Sequence, residues 1–202
     1  MAVSAKTARG RETRERILAA ASKLISERGV AETSIDDVLE QAAVGKGQLY
    51  HYFEDRAALL RAVVLHNADN VLSFVGGPLD SWKAIRSLFD AMVELQVERR
   101  ACGGCPIGAL VGQLAESDEQ ARLALSDSFA RWEARLRDGL RSMQLQGKLA
   151  ADADPGELAA ATLAAMQGGL VLAQARRDPG QLAIALNAAY SHLRTYASRH
   201  HD

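Results

Sequence analysis

Residues 33–53 read TSIDDVLEQAAVGKGQLYHYF, and this stretch decides how the chain is interpreted. Thr33 or Ser34 is placed to cap a short helix that carries acidic residues in its first turn, where the helix dipole favours them. A break follows at residues 43–45, and a second short helix is predicted from Lys46 to Tyr52. Two short helices joined by a tight turn are typical of a helix-turn-helix DNA-binding module.

A basic helix precedes this pair. Apolar residues recur every three or four positions between Gly10 and Arg28, which predicts an amphipathic helix that Gly29 ends. Residues 1–28 carry seven Lys or Arg against three Glu, although the whole chain has a formal net charge of −1. This asymmetry favours a polyanionic partner at one end only. The basic N-terminal segment either contacts DNA or is a solvated tail. If it contacts DNA, the contacts are expected from Arg9, Arg11 or Arg14.

The remainder of the chain also reads as helices. Of the 202 residues 48% are hydrophobic and only 4 are proline, and no alternating strand pattern of useful length is present. Residues that typically cap or break helices predict further helices over about 55–75, 81–98, 107–116, 118–146, 155–177 and 179–198. The prediction is an all-α fold of nine helices in two domains. A helix-turn-helix domain covers residues 1–54, and a ligand-binding and dimerisation domain covers residues 55–202.

The chain lacks the patterns of a membrane or secreted protein. No stretch approaches the roughly 18 uninterrupted apolar residues of a membrane span, and no apolar run follows the basic N-terminal residues. The two cysteines do not make a disulfide framework. We therefore expect a cytoplasmic protein that has no membrane partner and needs no cofactor or metal.

The quoted stretch closely resembles the signature of the TetR family of repressors. In that family a run of the form A-G-V-S-x-G-x-L-Y-x-H/Y-F precedes a Lys at the start of the fourth helix. The resemblance spans about residues 10–60, and the nine-helix layout is similar as well. The segment Cys-Pro-Ile-Gly-Ala-Leu at residues 105–110 further resembles one subset of the family.

The resemblance implies a mechanism. Two subunits pair through their last two helices into a four-helix bundle, and each places a recognition helix in one half of a palindromic double-stranded DNA operator. A small-molecule inducer enters the C-terminal domain, the fourth helix swings, and the homodimer leaves the DNA. Ala, Gly and Leu are abundant in the last two helices, which fits close helix approach at a dimer interface. The alternative is that the apolar faces of the last two helices are buried inside a monomer.

Physical reasons favour particular DNA contacts. Gln48 can pair with adenine through two hydrogen bonds, and Lys46 can reach guanine or a phosphate. Free amides at a helix N-terminus bind phosphate. Leu49 and Phe53 are expected to pack the module, and Tyr50 could be core or contact. The predicted DNA-binding residues are Thr33, Ser34, Lys46, Gly47, Gln48, Tyr50, His51 and Arg56.

Three positions depart from the family pattern. Ala43 stands where a turn glycine is usual, so the turn either avoids positive φ or bears strain of about 1 kcal/mol. Gly45 replaces a Ser that caps the recognition helix and touches phosphate, which removes one cap and one contact. Arg56 replaces the usual Lys and keeps its charge.

Ligand sites between helices are mostly apolar with a few polar anchors. We therefore expect large or polar residues of the C-terminal domain to contact the ligand, and core packing is the alternative role for each of them. The candidate ligand-binding residues are Trp82, Phe89, Met92, Gln96, Cys105, Leu110, Gln113, Phe129, Trp132, Met166 and Gln167.

The Cys102-x-x-Cys105 pair has several interpretations. It could sense oxidants or electrophiles, form half of a zinc site with histidines, or simply pack. The histidines considered are His66, His192, His200 and His201. A rival hypothesis makes the chain a dithiol redox enzyme, but the βαβ context of such motifs is missing.

The sequence leaves open whether the regulator represses or activates transcription.

Overall fold

We analysed a computed structural model, in which residues 7–198 are described. The prediction of nine helices and no strand is confirmed for that part of the chain. The helices are α1 (Ala8–Arg28), α2 (Ile35–Ala42), α3 (Lys46–Tyr52), α4 (Arg56–Val75), α5 (Trp82–Glu98), α6 (Gly108–Leu114), α7 (Glu119–Leu145), α8 (Pro155–Arg176) and α9 (Gly180–Arg194).

The chain divides into two compact units. The first comprises Met1–Val71 with Pro106–Ser128, and the second comprises Leu72–Cys105 with Phe129–Asp202. The first unit is larger than the predicted DNA-binding domain of residues 1–54, because it also includes most of α4 and all of α6. The functional boundary after residue 54 stays a prediction.

Side-chain caps begin several helices where the sequence predicts them. Ser34 Oγ accepts from the N–H of Asp37 at 3.1 Å, and the Asp37 carboxylate accepts from the N–H of Ser34 at 2.9 Å. This reciprocal pair satisfies amides that would otherwise lack partners at the start of α2. Asp55 Oδ1 accepts from the N–H of Ala58 at 2.6 Å in the same manner.

Two helix ends differ from the prediction. The helix α6 ends at Leu114, two residues before the predicted end at 116, and the carbonyl of Pro106 before the helix accepts a hydrogen bond from the Asn67 side chain at 3.3 Å. The helix α9 ends at Arg194 and not near residue 198. Its continuation pairs with the segment after α7, where the N–H of Ala150 donates to the Tyr196 carbonyl at 2.8 Å. A backbone pairing between distant segments therefore ends this helix early.

The first unit packs around α1. Its apolar face buries Ile17, Leu18 and Leu24. Leu49 at 0% exposure and Phe53 at 1% exposure complete the core of the helix-turn-helix, so their predicted packing role is confirmed.

The second unit packs α8 closely on α9. A Cβ at Gly169 would lie 2.9 Å from the Cβ of Ala185, so this contact requires glycine. The sequence predicts no membrane span, because no stretch is apolar without interruption. By length and composition alone, however, α8 could cross a membrane, with a mean hydropathy of 1.4. Such a helix is weak evidence for a span, because core helices pass the same test. Buried Leu163, Met166 and Leu170 give α8 the inward face of a core helix.

Candidate DNA interface and ligand site

The recognition helix α3 separates its residues cleanly into two faces. Leu49 and Tyr52 are buried against the rest of the first unit. The polar residues of the helix are exposed, and Tyr50 is 44% exposed, which favours the contact role for Tyr50 over the core role. The exposed residues of this face are Lys46, Gly47, Gln48, Tyr50 and His51.

Gln48 has a structural task in the DNA-free protein. Its Oε1 accepts a hydrogen bond from the N–H of Gly45 at 3.2 Å. Gly45 is the N-cap of α3 and has no side chain with which to return a bond. A bidentate contact with adenine uses both Oε1 and Nε2 of Gln48. An amide oxygen has two lone pairs, so Gln48 Oε1 accepts from Gly45 and keeps a second acceptor position for a base.

The turn between α2 and α3 is strained at the position that the sequence singles out. Ala43 has φ 51° and ψ 51°, in the left-handed region. An L-residue with a Cβ pays about 1–2 kcal/mol for this conformation. Its N–H donates to the Glu40 carbonyl at 3.1 Å, which closes α2. The turn thus keeps the geometry of a glycine turn and bears the strain.

The N-terminus of α2 is electrostatically organised. The Ser34 hydroxyl and backbone N–H both donate to the Asp37 carboxylate, which lowers the pKa of Asp37 below its usual value. Arg28 adds to this effect from 3.6 Å. The Ser34 hydroxyl proton is therefore already engaged, although Ser34 itself is exposed.

Thr33 does not have the geometry expected of a phosphate anchor. Its side chain is buried, with 5% exposure, and its hydroxyl donates to the Gly29 carbonyl at 2.7 Å. The hydroxyl ties the turn between α1 and α2 to the end of α1. The Thr33 N–H, the amide that the prediction offers to phosphate, donates to the Val30 carbonyl at 3.3 Å, so this turn contradicts the prediction for Thr33.

Arg56 also stabilises this turn. Its Nη2 donates to the Val30 carbonyl at 2.5 Å and to the Thr33 carbonyl at 3.1 Å. A guanidinium carries five N–H donors, so one bifurcated nitrogen leaves others for a phosphate. The residue is exposed at the start of α4, and its flank contact with DNA stays a prediction.

Gln113, predicted as a ligand residue, belongs to the first unit. Its Oε1 accepts from the N–H of Val30 at 2.6 Å, and its Nε2 donates to the Ala109 carbonyl at 2.8 Å. Both ends of the amide are thus used inside the protein. Leu110, another predicted ligand residue, is buried in the same unit with 2% exposure. The two hydrogen bonds of Gln113 correct its ligand prediction, and a ligand role for Leu110 stays a prediction.

Further polar bridges in this unit were not predicted from the sequence. Asn67, only 5% exposed, accepts from the Ser22 hydroxyl at 2.6 Å. Arg61 Nη1 lies 3.2 Å from Asp118 Oδ2, and the pKa of Asp118 is lowered chiefly by the N–H of Ala121 that donates to it. A polar residue on the apolar face of α4 is the one sequence signal that could have identified Asn67.

The basic residues of α1 have two different environments. Arg9 and Arg11 are exposed near the start of the helix. The Arg14 guanidinium carbon lies 5.5 Å from the centroid of the Phe53 ring, a cation–π contact. Arg14 is thus engaged within the module, while Arg9 and Arg11 remain candidates for DNA contact.

All of the other predicted ligand residues fall in the second unit. Phe89, Met92 and Gln96 are buried along one face of α5, spaced three and four residues apart. Trp82 is half-buried and lies in a surface cluster, where its ring stacks edge-on against Tyr190 with centroids 6.3 Å apart. The remaining members of the set are Cys105, Trp132 and Met166, which are buried, and Phe129 and Gln167, which are half-buried.

A shallow cleft of about 270 Å³ lies between α5 and α9. Arg86, Asp90 and Glu94 line it, so it is charged, and Phe89 is the one predicted ligand residue in its wall. Such a lining differs from the mostly apolar interior that is typical of a ligand site between helices.

Neither Cys102 nor Cys105 is joined in a disulfide. Cys102 is exposed, and its Sγ accepts a hydrogen bond from Arg177 Nη1 at 2.8 Å, whereas Cys105 is buried. Among residues 7–198, no three His, Cys, Asp or Glu side chains are grouped as metal ligands. His200 and His201, considered above for zinc, lie outside the described residues.

The fold and the two-faced α3 define a helix-turn-helix protein of the DNA-binding class. Residues 17–63 match the family model described as "Bacterial regulatory proteins, tetR family". Residues 81–188 match the model described as "Transcriptional regulator LmrA/YxaF-like, C-terminal domain". The chain therefore belongs to the TetR family of bacterial transcriptional regulators.

Similar proteins agree with this assignment. An HTH-type transcriptional regulator in the lacX 3′ region of Lactococcus lactis is 31% identical over 83% of this chain and 86% of its own length. The transcriptional regulator AcuR of Cereibacter sphaeroides is 30% identical over 78% of this chain and 74% of its own. A TetR regulator from Chloroflexus aurantiacus shares the fold, with a TM-score of 0.80, 23% identity, and coverage of 95% of this chain and 98% of its own.

Proposed function

We propose that this protein is a ligand-responsive repressor that binds a palindromic operator as a homodimer and leaves it when a small molecule binds. The observation that carries the proposal is the division of α3, in which the base-reading and phosphate-binding residue types are exposed and the apolar ones are buried. In this arrangement the bases are read or approached by Gln48, Gly47 and Lys46. Ser34, Tyr50, His51 and Arg56 position the module on the backbone.

Selection of DNA fragments by the purified full-length protein, followed by footprinting, tests DNA recognition. We expect a palindromic site whose half-sites lie about one helical turn or a multiple apart. Lys46→Ala should lower the salt dependence of binding by about one counterion if Lys46 meets a phosphate. Selection that yields no common site contradicts the proposal.

The dimer proposal is supported by an apolar stripe left uncovered in the protomer. Val171 and Leu172 on α8 are 62% and 45% exposed, and Ile184 on α9 is 67% exposed. Ala161, Ala164 and Gly168 continue the exposed stripe along α8. Small side chains at these positions allow a second pair of helices to approach closely.

Gly168 offers a clean test of this interface. A Cβ at Gly168 meets nothing within 4 Å, so a side chain there leaves the protomer intact. Gly168→Glu should therefore give a folded monomer in sedimentation analysis. Gly112→Glu is the matched control, since Gly112 lies in a helix of the first unit with equally open space. A dimeric Gly168→Glu protein contradicts the proposed interface.

We further propose a cytoplasmic location and no catalytic role, because the family assignment favours a regulator over the dithiol enzyme that Cys102 and Cys105 first suggested. Activation instead of repression is the second candidate. Transcription from an operator-bearing promoter, measured with and without the protein, separates the two.

A further inference from the structure

Among the described residues of the second unit, three buried side-chain polar atoms have no hydrogen-bond partner. They are the carbonyl Oε1 of Gln96, the indole N–H of Trp132 and the amide Nε2 of Gln167. Gln96 is 2% exposed and Trp132 is 3% exposed. The three side chains come from α5, α7 and α8, and all three residues belong to the same compact unit.

Unpaired buried polar atoms are costly, and native proteins pair nearly all of them with protein groups, water or ligands. The same unit shows the usual situation at Thr162, whose buried hydroxyl donates to the Leu158 carbonyl at 2.7 Å. The unpaired set comprises one acceptor and two donors. Its complement is a molecule with one hydrogen-bond donor and one or two acceptors.

The charge of such a molecule follows from its surroundings. Among residues 7–198, no Asp, Glu, Lys or Arg side chain is buried, and the buried polar residues of the second unit are Gln96 and Thr162. An ion transferred into this interior would lose its hydration without gaining a counter-charge. Phe89 and Met92 share the α5 face with Gln96 and offer apolar contact.

We propose that the second unit binds an uncharged, largely apolar small molecule through Gln96, Trp132 and Gln167, as a neutral carboxamide would bind. The molecule donates one hydrogen bond to Gln96 Oε1 and accepts hydrogen bonds from Trp132 Nε1 and Gln167 Nε2. This inference rests on the proposed ligand-responsive function and names the chemical class of the ligand. The charged α5–α9 cleft contains none of the three unpaired atoms and is not the site.

Three probes with one ring system test the class directly: 2-naphthamide, 2-naphthoate and 2-naphthylmethylammonium. Calorimetric titration of the wild-type protein should show the amide binding at least about tenfold more tightly than either ion. Equal or tighter binding of an ion overturns the inference. So does the absence of amide binding up to about 1 mM.

A variant tests the unpaired carbonyl without any ligand. Gln96→Met keeps the length of the side chain and removes the carbonyl, so it should raise the melting temperature of the ligand-free protein by about 2–4 °C. It should also abolish the preference for the amide. Thr162→Val is the matched control, because it removes a paired hydroxyl; it should lower the melting temperature and leave the preference unchanged. A melting temperature that falls in both variants overturns the inference.

Release from operator DNA separates this inference from the proposed function. Operator-bound protein released by the carboxylate or the ammonium probe, but not by the amide, contradicts the inference and leaves ligand-responsive regulation standing. A wild-type protein that selects no operator contradicts the proposed function, whatever the amide titration shows.

Discussion

The Oε1 atom of Gln113 accepts a hydrogen bond from the backbone N–H of Val30 at 2.6 Å, across 83 residues of sequence. The Val30 carbonyl accepts a hydrogen bond from Arg56 Nη2 at 2.5 Å. Both backbone groups of one residue in the α1–α2 turn are therefore bound by side chains of α6 and α4. The turn leads directly into α2, so these bonds help to position the helix-turn-helix.

Gln113→Leu should destabilise the protein by about 1–3 kcal/mol, because it leaves the buried N–H of Val30 without an acceptor. Urea unfolding measures this loss, and fluorescence anisotropy should show weaker operator binding. Gln113→Glu keeps the acceptor for Val30 and loses only the bond to the Ala109 carbonyl, so it should destabilise the protein less than the Leu variant. Equal stability of the Leu variant and the wild type would contradict a structural role for this bond.

The local features of the fold are predictable from the sequence, and the distant contacts are not. Gln48 and Leu49 fall on opposite faces of α3 because helical periodicity places them there, and the bounds of α3 agree with the prediction. The partners of Gln113 and Asn67 lie far along the chain, and no periodicity encodes such a contact. The position of Thr33 at a helix start predicts a phosphate contact, whereas its burial depends on how α1 packs.

Ala43→Gly should raise the free energy of unfolding by up to about 1 kcal/mol. Glycine removes the cost of the left-handed conformation at φ 51°, offset in part by its greater freedom in the unfolded chain. Ala19→Gly is the control, because Ala19 is exposed in the middle of α1 and glycine there should cost about 1 kcal/mol. If thermal unfolding shows the same loss in both variants, Ala43 bears no relievable strain.

Gly45→Ser should raise stability by a few tenths of a kcal/mol and strengthen operator binding severalfold. The N-cap φ of −78° suits any residue, and a Cβ at Gly45 meets nothing within 4 Å. The new hydroxyl can cap α3 and contact a phosphate. Gly45→Ala fills the same space without a hydroxyl and should show neither gain. Equal DNA affinities for Ser and Ala would rule out the phosphate contact.

Asp118 should make stability depend on acidity. Its folded-state pKa lies below its ordinary value of 3.8, so its carboxylate stabilises the fold at pH above 3.8 and loses this effect as pH falls through the lowered pKa. The stability difference between wild type and Asp118→Asn should therefore be constant near neutrality and shrink below pH 3.8. Asp127→Asn, which removes a charge from an exposed position of α7, the helix that Asp118 precedes, is the control. A difference that grows on acidification would contradict this assignment.

Gln48→Glu should separate the capping role of this residue from its recognition role. Glutamate retains the acceptor that binds the N–H of Gly45, so the stability of α3 should be preserved. The variant loses the N–H donor needed for adenine and adds a negative charge facing phosphates, so operator affinity should fall by about tenfold or more. Gln48→Ala removes both roles and should lower stability as well as affinity. Anisotropy titrations paired with thermal unfolding measure the two quantities on the same samples. Full operator affinity in the Glu variant would show that Gln48 remains at the Gly45 cap in the complex and does not read a base.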